Sequence, residues 1–173
     1  DFGAWGQGKL GKYSFLCDGV DTSINIASSS YLPLGDGNES FSISFWANNP
    51  AGLDSYETII GRHSSNTAAQ AWTDGYNIQY NHGQSQTMRF SVGSYYNAPA
   101  QAYKVWGSGP NTTFRHVVAT YNTDTDVSQL WVDGVKGTDG AKSTATPLPG
   151  TGDTRIGVLS TTGLLPAPGY TWP

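Results

Sequence analysis

The chain has 173 residues, which suffices for one domain with a sizeable hydrophobic core. Its 22 glycines and 9 prolines imply frequent turns, and frequent turns favour short strands over helices. A net charge of −4 without a basic stripe argues against nucleic-acid binding, and no apolar run reaches the roughly 18 residues that a membrane span needs.

Apolar residues recur with a period of two along the first part of the chain, which predicts short strands. Residues 13–17 and 23–27 are expected to form a pair of strands around a turn at 18–21. The next strand carries Phe41, Ile43 and Phe45 on one face, with serines and Trp46 on the other. This alternation is typical of a half-buried strand in an antiparallel sheet.

Further strands are predicted at 57–63, 75–80 and 88–92, with one more inside a long loop at 102–106. The longest, at 114–122, is apolar on both faces near its middle, as a central strand would be. Residues 129–132 and 135–137 flank Asp133-Gly134, and this dipeptide predicts a type I′ hairpin because it tolerates positive φ. The last predicted strand is 154–158, and no linker or repeat divides residues 1–173, so we expect a single domain.

Five motifs appear along these strands in a recognisable order. They are Gly-Lys-Leu-Gly at 8–11 leading to Phe15 and Asp-Gly-Val-Asp at 18–21, Phe-Ser-Ile-Ser-Phe-Trp at 41–46, Phe-Arg-His-Val-Val-Ala-Thr-Tyr-Asn at 114–122, Leu-Trp-Val-Asp-Gly at 130–134 and Arg-Ile-Gly at 155–157. The series resembles the laminin G-like branch of the concanavalin A-like lectin/glucanase superfamily, with Leu16 and Cys17 inserted in the first motif. The resemblance implies an all-β fold, an antiparallel two-sheet jelly-roll sandwich. It implies little about function, because this fold carries several.

The end of the chain departs from that pattern. The family continues past its Ile-Gly strand into a strand that closes the sandwich, whereas residues 163–173 contain three prolines. Prolines are excluded from the middle of a sheet, so we expect the closing strand to be lacking. An open sheet edge beside 154–158 would then be covered by residues 1–6 or by another subunit.

Catalytic patterns are missing, and we predict that the protein is not an enzyme. Glycanases need paired carboxylates, but the only two glutamates, Glu39 and Glu57, are not suitably spaced from other acids. Asp124 and Asp126 fall in a turn and are interpreted as solvated loop residues. A polysaccharide lyase stays a weak alternative. It would use the nearby Gln79, Tyr80, His82 and Arg89, which lack the family's motif spacing.

No cofactor is expected from the motifs, although calcium is left open. The three histidines show no zinc spacing, and His116 is interpreted as a satisfied core or hairpin residue. Loop oxygens that could bind calcium are plentiful, but no twelve-residue calcium loop is present. The candidate ligands are Asp18, Asp21, Asp36, Asn38, Asp54, Asp74 and Asp153.

Aromatic residues are concentrated in and beside two long loops. Since sugars stack on Trp and Tyr rings, we predict Trp72, Tyr95, Tyr96 and Trp106 as ligand-binding residues. The alternatives are that these rings fill the sandwich or form a protein–protein contact.

The function predicted from these features is a non-catalytic, lectin-like module that makes protein contacts in a virion-surface or extracellular assembly, in a decoration, fibre or adhesion role. Its partners would be other protein subunits, either copies of itself or a virion or cell-surface scaffold, together with glycans. Neither nucleic acid nor membrane insertion is expected. The alternative is a carbohydrate-binding module of a larger secreted protein, and a polysaccharide-degrading enzyme is the least favoured.

Overall fold

A computed structural model describes residues 5–17, 23–27, 39–49, 56–62, 75–81, 87–92, 101–105, 111–140 and 153–157. All regular structure in these ranges is β-strand, and none of them forms a helix long and apolar enough to cross a membrane. The strands are β1 (Trp5–Gln7), β2 (Tyr13–Phe15), β3 (Ile24–Ile26), β4 (Phe41–Asn49), β5 (Tyr56–Arg62), β6 (Tyr76–Asn81), β7 (Thr87–Val92), β8 (Gln101–Val105), β9 (Asn111–Asn122), β10 (Val127–Val132), β11 (Val135–Lys136) and β12 (Thr154–Ile156).

These strands form two main sheets, in which every pairing is antiparallel. The six-stranded sheet has the order β3-β12-β5-β6-β7-β8, and the four-stranded sheet has the order β11-β10-β9-β4. A separate two-stranded sheet joins β1 to β2. The predicted all-β, antiparallel two-sheet sandwich of the jelly-roll type is therefore confirmed.

The four-stranded sheet is built around β9, which pairs with β4 on one side and β10 on the other. Val117, Ala119 and Tyr121 point from β9 into the core, and Phe41 of β4 lies opposite Tyr121. Ile43 and Phe45 follow on the same face of β4 and pack against this core. Period-two alternation thus predicted the inward face of β4, and the apolar residues on both faces of β9 predicted its central place.

The six-stranded sheet supplies the other half of the core. Tyr76, Ile78 and Tyr80 of β6 are buried beside inward residues of β7, of which Phe90 meets the Phe41 ring edge-on at a centroid distance of 6.0 Å. Full burial of a phenylalanine side chain such as that of Phe90 stabilises a fold by about 1.5–3 kcal/mol. Burial also raises the pKa of Tyr76, whose hydroxyl lies 3.3 Å from Thr154 Oγ1.

Two predictions about strand pairing were wrong. The strand at 13–15 pairs with β1 and not with the strand at 24–26, which pairs instead with β12. β12 also pairs with β5, so the open edge expected beside the last strand does not exist. Alternation along a strand shows which side chains share a face, but it carries no information about which distant strand lies alongside. The predicted lack of a closing strand concerns residues 163–173, which lie outside the described ranges.

The hairpin between β10 and β11 has the predicted type I′ turn. Asp133 has φ 52° and Gly134 has φ 77°, so both turn residues are left-handed. The Asp133 carboxylate accepts hydrogen bonds from Arg115 Nε at 2.7 Å and from the His116 backbone amide at 2.9 Å. Burial acts to raise the pKa of Asp133, but these two bonds outweigh it and the pKa is lowered. The turn is thereby tied to β9.

Candidate functional site

The residues predicted to bind ligand lie outside the described ranges. This holds for Trp72, Tyr95, Tyr96 and Trp106, and for all the candidate calcium ligands except Asp153. Asp153 Oδ2 accepts a hydrogen bond from Asn25 Nδ2 at 3.0 Å. Within the described ranges no three metal-ligating side chains come together.

A polar surface is formed instead by the outward face of the six-stranded sheet. Its side chains alternate with the core residues of the same strands, so each polar residue lies next to a buried apolar one. Every described side chain on this surface is polar. We call the following residues the polar face: Asn25, Thr58, Gly61, Asn77, Gln79, Thr87, Arg89, Ser91 and Arg155.

Strand register arranges the polar face in rows across the sheet. One row passes from Arg155 through Gly61 and Asn77 to Ser91, in four adjacent strands. A neighbouring row begins with Thr58 and continues through Gln79 and Arg89. A β-bulge between Thr58 and Ile60 turns both Thr58 and Gly61 outward while Ile59 and Ile60 pack against the core.

Most of the polar face is buried although it faces away from the core, since Thr58, Asn77, Gln79, Thr87 and Ser91 are each at most 6% exposed. Asn77 is 1% exposed and Gln79 is 2% exposed, while Arg89 and Arg155 on either side are partly exposed. Asn77 Nδ2 donates a hydrogen bond to Gln79 Oε1 at 2.7 Å. Buried amides without partners are costly, so such a cluster requires nearly complete hydrogen bonding.

Two buried polar atoms in the first row have no hydrogen-bond partner. They are the acceptor Asn77 Oδ1 and the donor Arg155 Nε, and Gly61 lies between them in the register. A side-chain carbon built on Gly61 would lie 3.2 Å from Asn77 Oδ1. The polar face therefore offers one unpaired acceptor and one unpaired donor on either side of a residue without a side chain.

Asp124 and Asp126, which the sequence places in a loop, lie in the turn after β9. The turn after β9 is an Asx turn, in which Asn122 Oδ1 accepts hydrogen bonds from the backbone amides of Asp124 and Thr125. Asp126 accepts a hydrogen bond from the Tyr121 hydroxyl at 3.2 Å. Burial first, and then this bond, raises the pKa of Tyr121 to about 12. The Asp124 backbone amide and the Asp126 carboxylate thus both belong to the turn, as the sequence indicated.

The four residues considered for a lyase are not brought together on one face. Gln79 and Arg89 pair across β6 and β7 on the polar face, whereas the Tyr80 side chain is buried in the core. His82 lies outside the described ranges. The described residues therefore do not form a lyase cluster.

The outward face of the four-stranded sheet carries a second cluster. The ring of His116 stacks on Trp46 with centroids 4.9 Å apart, and its Nε2 lies 2.8 Å from Ser44 Oγ. Lys9 Nζ lies 5.3 Å from the centre of the Trp46 ring. His116 is satisfied, as predicted, but it lies on the outward face of its sheet and not in the core. The neighbours already present around Trp46 make it a poor platform for a sugar.

Sequence reasoning missed the polar face, although a signal was present. Residues 76–81 and 87–92 alternate apolar side chains with amide, hydroxyl and guanidinium groups. The aromatic loops were predicted as the site because sugars stack on aromatic rings. A polar position in a strand ordinarily indicates exposure to water, so the polar residues of these strands did not predict a site. Burial of Asn77 is what distinguishes this face, and burial is a tertiary property.

A comparison with protein-family models agrees with this architecture. A family model described as the concanavalin A-like lectin/glucanases superfamily matches residues 18–170. No curated protein matches the chain significantly.

Among solved structures, the potassium-bound carbohydrate recognition domain of Emp46p is similar at 11% identity. That match covers 72% of this chain and 67% of that one, with a TM-score of 0.45. The carbohydrate recognition domain of Emp47p, in a monoclinic crystal form, is 13% identical over 81% of this chain and 82% of that one, with a TM-score of 0.35. Because the family model spans most of the sequence, the chain belongs to the concanavalin A-like lectin/glucanases superfamily.

Proposed function

We propose that this lectin-like domain binds carbohydrate without cleaving it, and that the glycan is held on the polar face. The observation that carries the proposal is the buried amide pair Asn77 and Gln79, with an unpaired acceptor, at the centre of an outward sheet surface. Protein interiors leave few such groups unpaired, and those that remain call for an explanation. A ligand with hydroxyl groups would explain the unpaired acceptor, because a hydroxyl group can donate a hydrogen bond to it.

The side chains of the polar face match the chemistry of sugars. Amide groups offer both donors and acceptors, and guanidinium groups offer several donors in a plane. Ligand sites generally combine an enclosed surface with a few convergent polar groups. Arg89 and Arg155 are partly exposed, so a ligand can approach the polar face from solvent on either side of the buried amides.

Binding without catalysis follows from the charges of the same surface. The described side chains of the polar face include two arginines, and the one carboxylate shown in contact with the face is Asp153, which is hydrogen-bonded to Asn25. Glycoside hydrolysis ordinarily needs one carboxyl group to protonate the leaving oxygen and a second to attack or to activate water. We therefore expect no release of reducing ends from a polysaccharide panel.

Binding is tested with a glycan array and two arginine variants. Arg89→Gln removes a cationic donor from the polar face. It is expected to weaken glycan binding about ten-fold, because that is the effect of losing one charged hydrogen bond. Arg115→Gln is the matched control, since Arg115 is also partly buried but lies on the other sheet, where it bonds Asp133. We expect it to bind like the wild type.

Three outcomes would count against this proposal. A wild-type domain that binds no glycan at millimolar concentration contradicts carbohydrate binding, and reducing-end release contradicts the absence of catalysis. If Arg89→Gln binds normally while Trp72→Ala or Trp106→Ala binds weakly, the glycan lies on the predicted loop residues and not on the polar face.

A second candidate function is protein contact within a virion-surface or extracellular assembly. The observation that favours it is a set of exposed apolar residues in and beside β2: Leu10 is 79% exposed, Tyr13 61% and Leu16 46%. Clustered exposed apolar side chains commonly mark interaction sites. Other subunits, including copies of this chain, are the partners that such a surface fits.

Light scattering on the purified chain tests the second candidate. A self-associating domain should show a concentration-dependent mass above the monomer, and Leu10→Ser with Leu16→Ser should restore the monomer because both changes remove apolar contact area. Val135→Ser is the control, as Val135 is 56% exposed but lies on a different sheet. A wild type that is monomeric at all concentrations would exclude self-assembly.

A further inference from the structure

We infer that Asn77 and Arg155 form a subsite for one hydroxyl group of a neutral sugar or polyol, seated over Gly61. The inference rests on the proposed carbohydrate function and names the atoms that would bind. Asn77 Oδ1 and Arg155 Nε are buried and unpartnered, and Asn77 is 1% exposed.

The strand register places these groups on either side of Gly61. Arg155 pairs with Gly61 and Gly61 pairs with Asn77, in the consecutive strands β12, β5 and β6. Adjacent strands lie about 4.8 Å apart, so the backbones that carry the two side chains are roughly 10 Å apart. Side chains of this length can span that gap, and both polar atoms are closed to solvent in this structure, so a bound hydroxyl has to displace what covers them.

The pairing of one acceptor with one donor selects the ligand group. Asn77 Nδ2 is engaged by Gln79 Oε1, so the atom that Asn77 presents is its acceptor oxygen. A hydroxyl group donates to Asn77 Oδ1 and accepts from Arg155 Nε at the same time. A carboxylate or phosphate can only accept and would oppose the amide oxygen, and an ammonium group would be repelled by the guanidinium.

Gly61 lies between the two groups in the register, and the proposed subsite depends on its lack of a side chain. Its φ is not among the positive values found at other glycines, so its backbone does not require glycine. An added Cβ would lie 3.2 Å from Asn77 Oδ1 and 3.3 Å from Thr58 Cγ2, which is tight contact. A side chain at this position would occupy the subsite itself.

The test uses methyl glycosides of glucose, galactose and mannose, titrated into the domain and followed by proton–nitrogen correlation spectra. In the wild type, the Arg155 Nε–H and Asn77 side-chain signals should shift with a glycoside that binds. Gly61→Ala and Arg155→Lys should each lower the affinity for that glycoside by about ten-fold or more. The alanine side chain fills the subsite, and the lysine lacks the Nε–H donor. The monodeoxy analogue that lacks the bound hydroxyl should bind the wild type weakly, and its affinity should fall little further in Arg155→Lys, because the hydrogen bond that this variant removes is already missing.

Matched controls separate the subsite from general effects on folding. Gly6→Ala introduces a Cβ 3.2 Å from Ser14 Oγ in the two-stranded sheet, and Arg115→Lys alters an arginine in the four-stranded sheet. Both should bind glycosides normally, and melting temperatures show whether each variant is folded.

Failure of this subsite and failure of the proposed function give different results. If no glycoside or longer glycan binds the wild type, both are wrong. If glycans bind the wild type, Gly61→Ala and Arg155→Lys equally well, or if every deoxy analogue behaves alike, carbohydrate binding stands and the Asn77–Arg155 subsite is wrong.

Discussion

Replacing Leu130 with alanine is expected to lower the free energy of unfolding by about 2–5 kcal/mol. Leu130 is fully buried in β10, where it lies opposite Ala119 of β9 and faces the core between the two sheets. Truncation to alanine removes apolar contacts and leaves a cavity that the rigid sheets on either side can fill only in part. Urea denaturation, with the midpoint and slope compared between variants, measures the loss.

Leu10→Ala is the matched control for this substitution. Leu10 is 79% exposed, so the same chemical change should alter stability by less than about 0.5 kcal/mol. Equal losses in the two variants would show that Leu130 does not lie in the core, and would contradict the packing of β10 between the sheets.

Replacing Gly134 with valine is expected to cost about 1–2 kcal/mol of stability, because a β-branched residue is strained in the left-handed region. Gly134 has φ 77° in the type I′ turn, and a Cβ added there would have no neighbour within 4 Å. The cost therefore comes from the backbone conformation and not from a steric clash with another part of the chain. Thermal or chemical unfolding of the variant gives its magnitude.

Gly134→Asn separates strain from other effects of adding a side chain. Asparagine adopts left-handed φ values several times more readily than other non-glycine residues, so this variant should be clearly more stable than Gly134→Val. If the two variants unfold at the same denaturant concentration, positive φ at Gly134 is not what determines the turn.

The hairpin and the sheet faces could be predicted because their causes are local. Asp133-Gly134 tolerates positive φ whatever surrounds it, and the structure has the type I′ turn that this dipeptide favours. Phe41, Ile43 and Phe45 face the core because side chains two positions apart share a side of a strand. The motifs at 41–46, 114–122 and 130–134 all fall on strands of the four-stranded sheet, and their order led to the correct fold.

Pairing between distant strands could not be predicted in the same way. The strands at 13–15 and 24–26 are neighbours in sequence, yet the second lies beside β12, more than a hundred residues along the chain. The expected open edge at 154–158 failed for the same reason, since β12 is paired on both sides. Backbone hydrogen bonds are alike in every strand, so only the packing of the whole sandwich selects the partner.

The candidate site divides along the same line. Alternation at 76–81 and 87–92 already put Asn77, Gln79 and Arg89 on a face opposite to Tyr76, Ile78 and Tyr80. That Asn77 is buried, and that Arg155 approaches it across Gly61, depend on residues 78 positions apart being brought into one row. The sequence by itself determined the strand faces, the turn and the fold class, since these follow from periodicity and backbone preference. Only the tertiary structure decided which strands are adjacent and which polar atoms are left unpaired, because both depend on long-range packing.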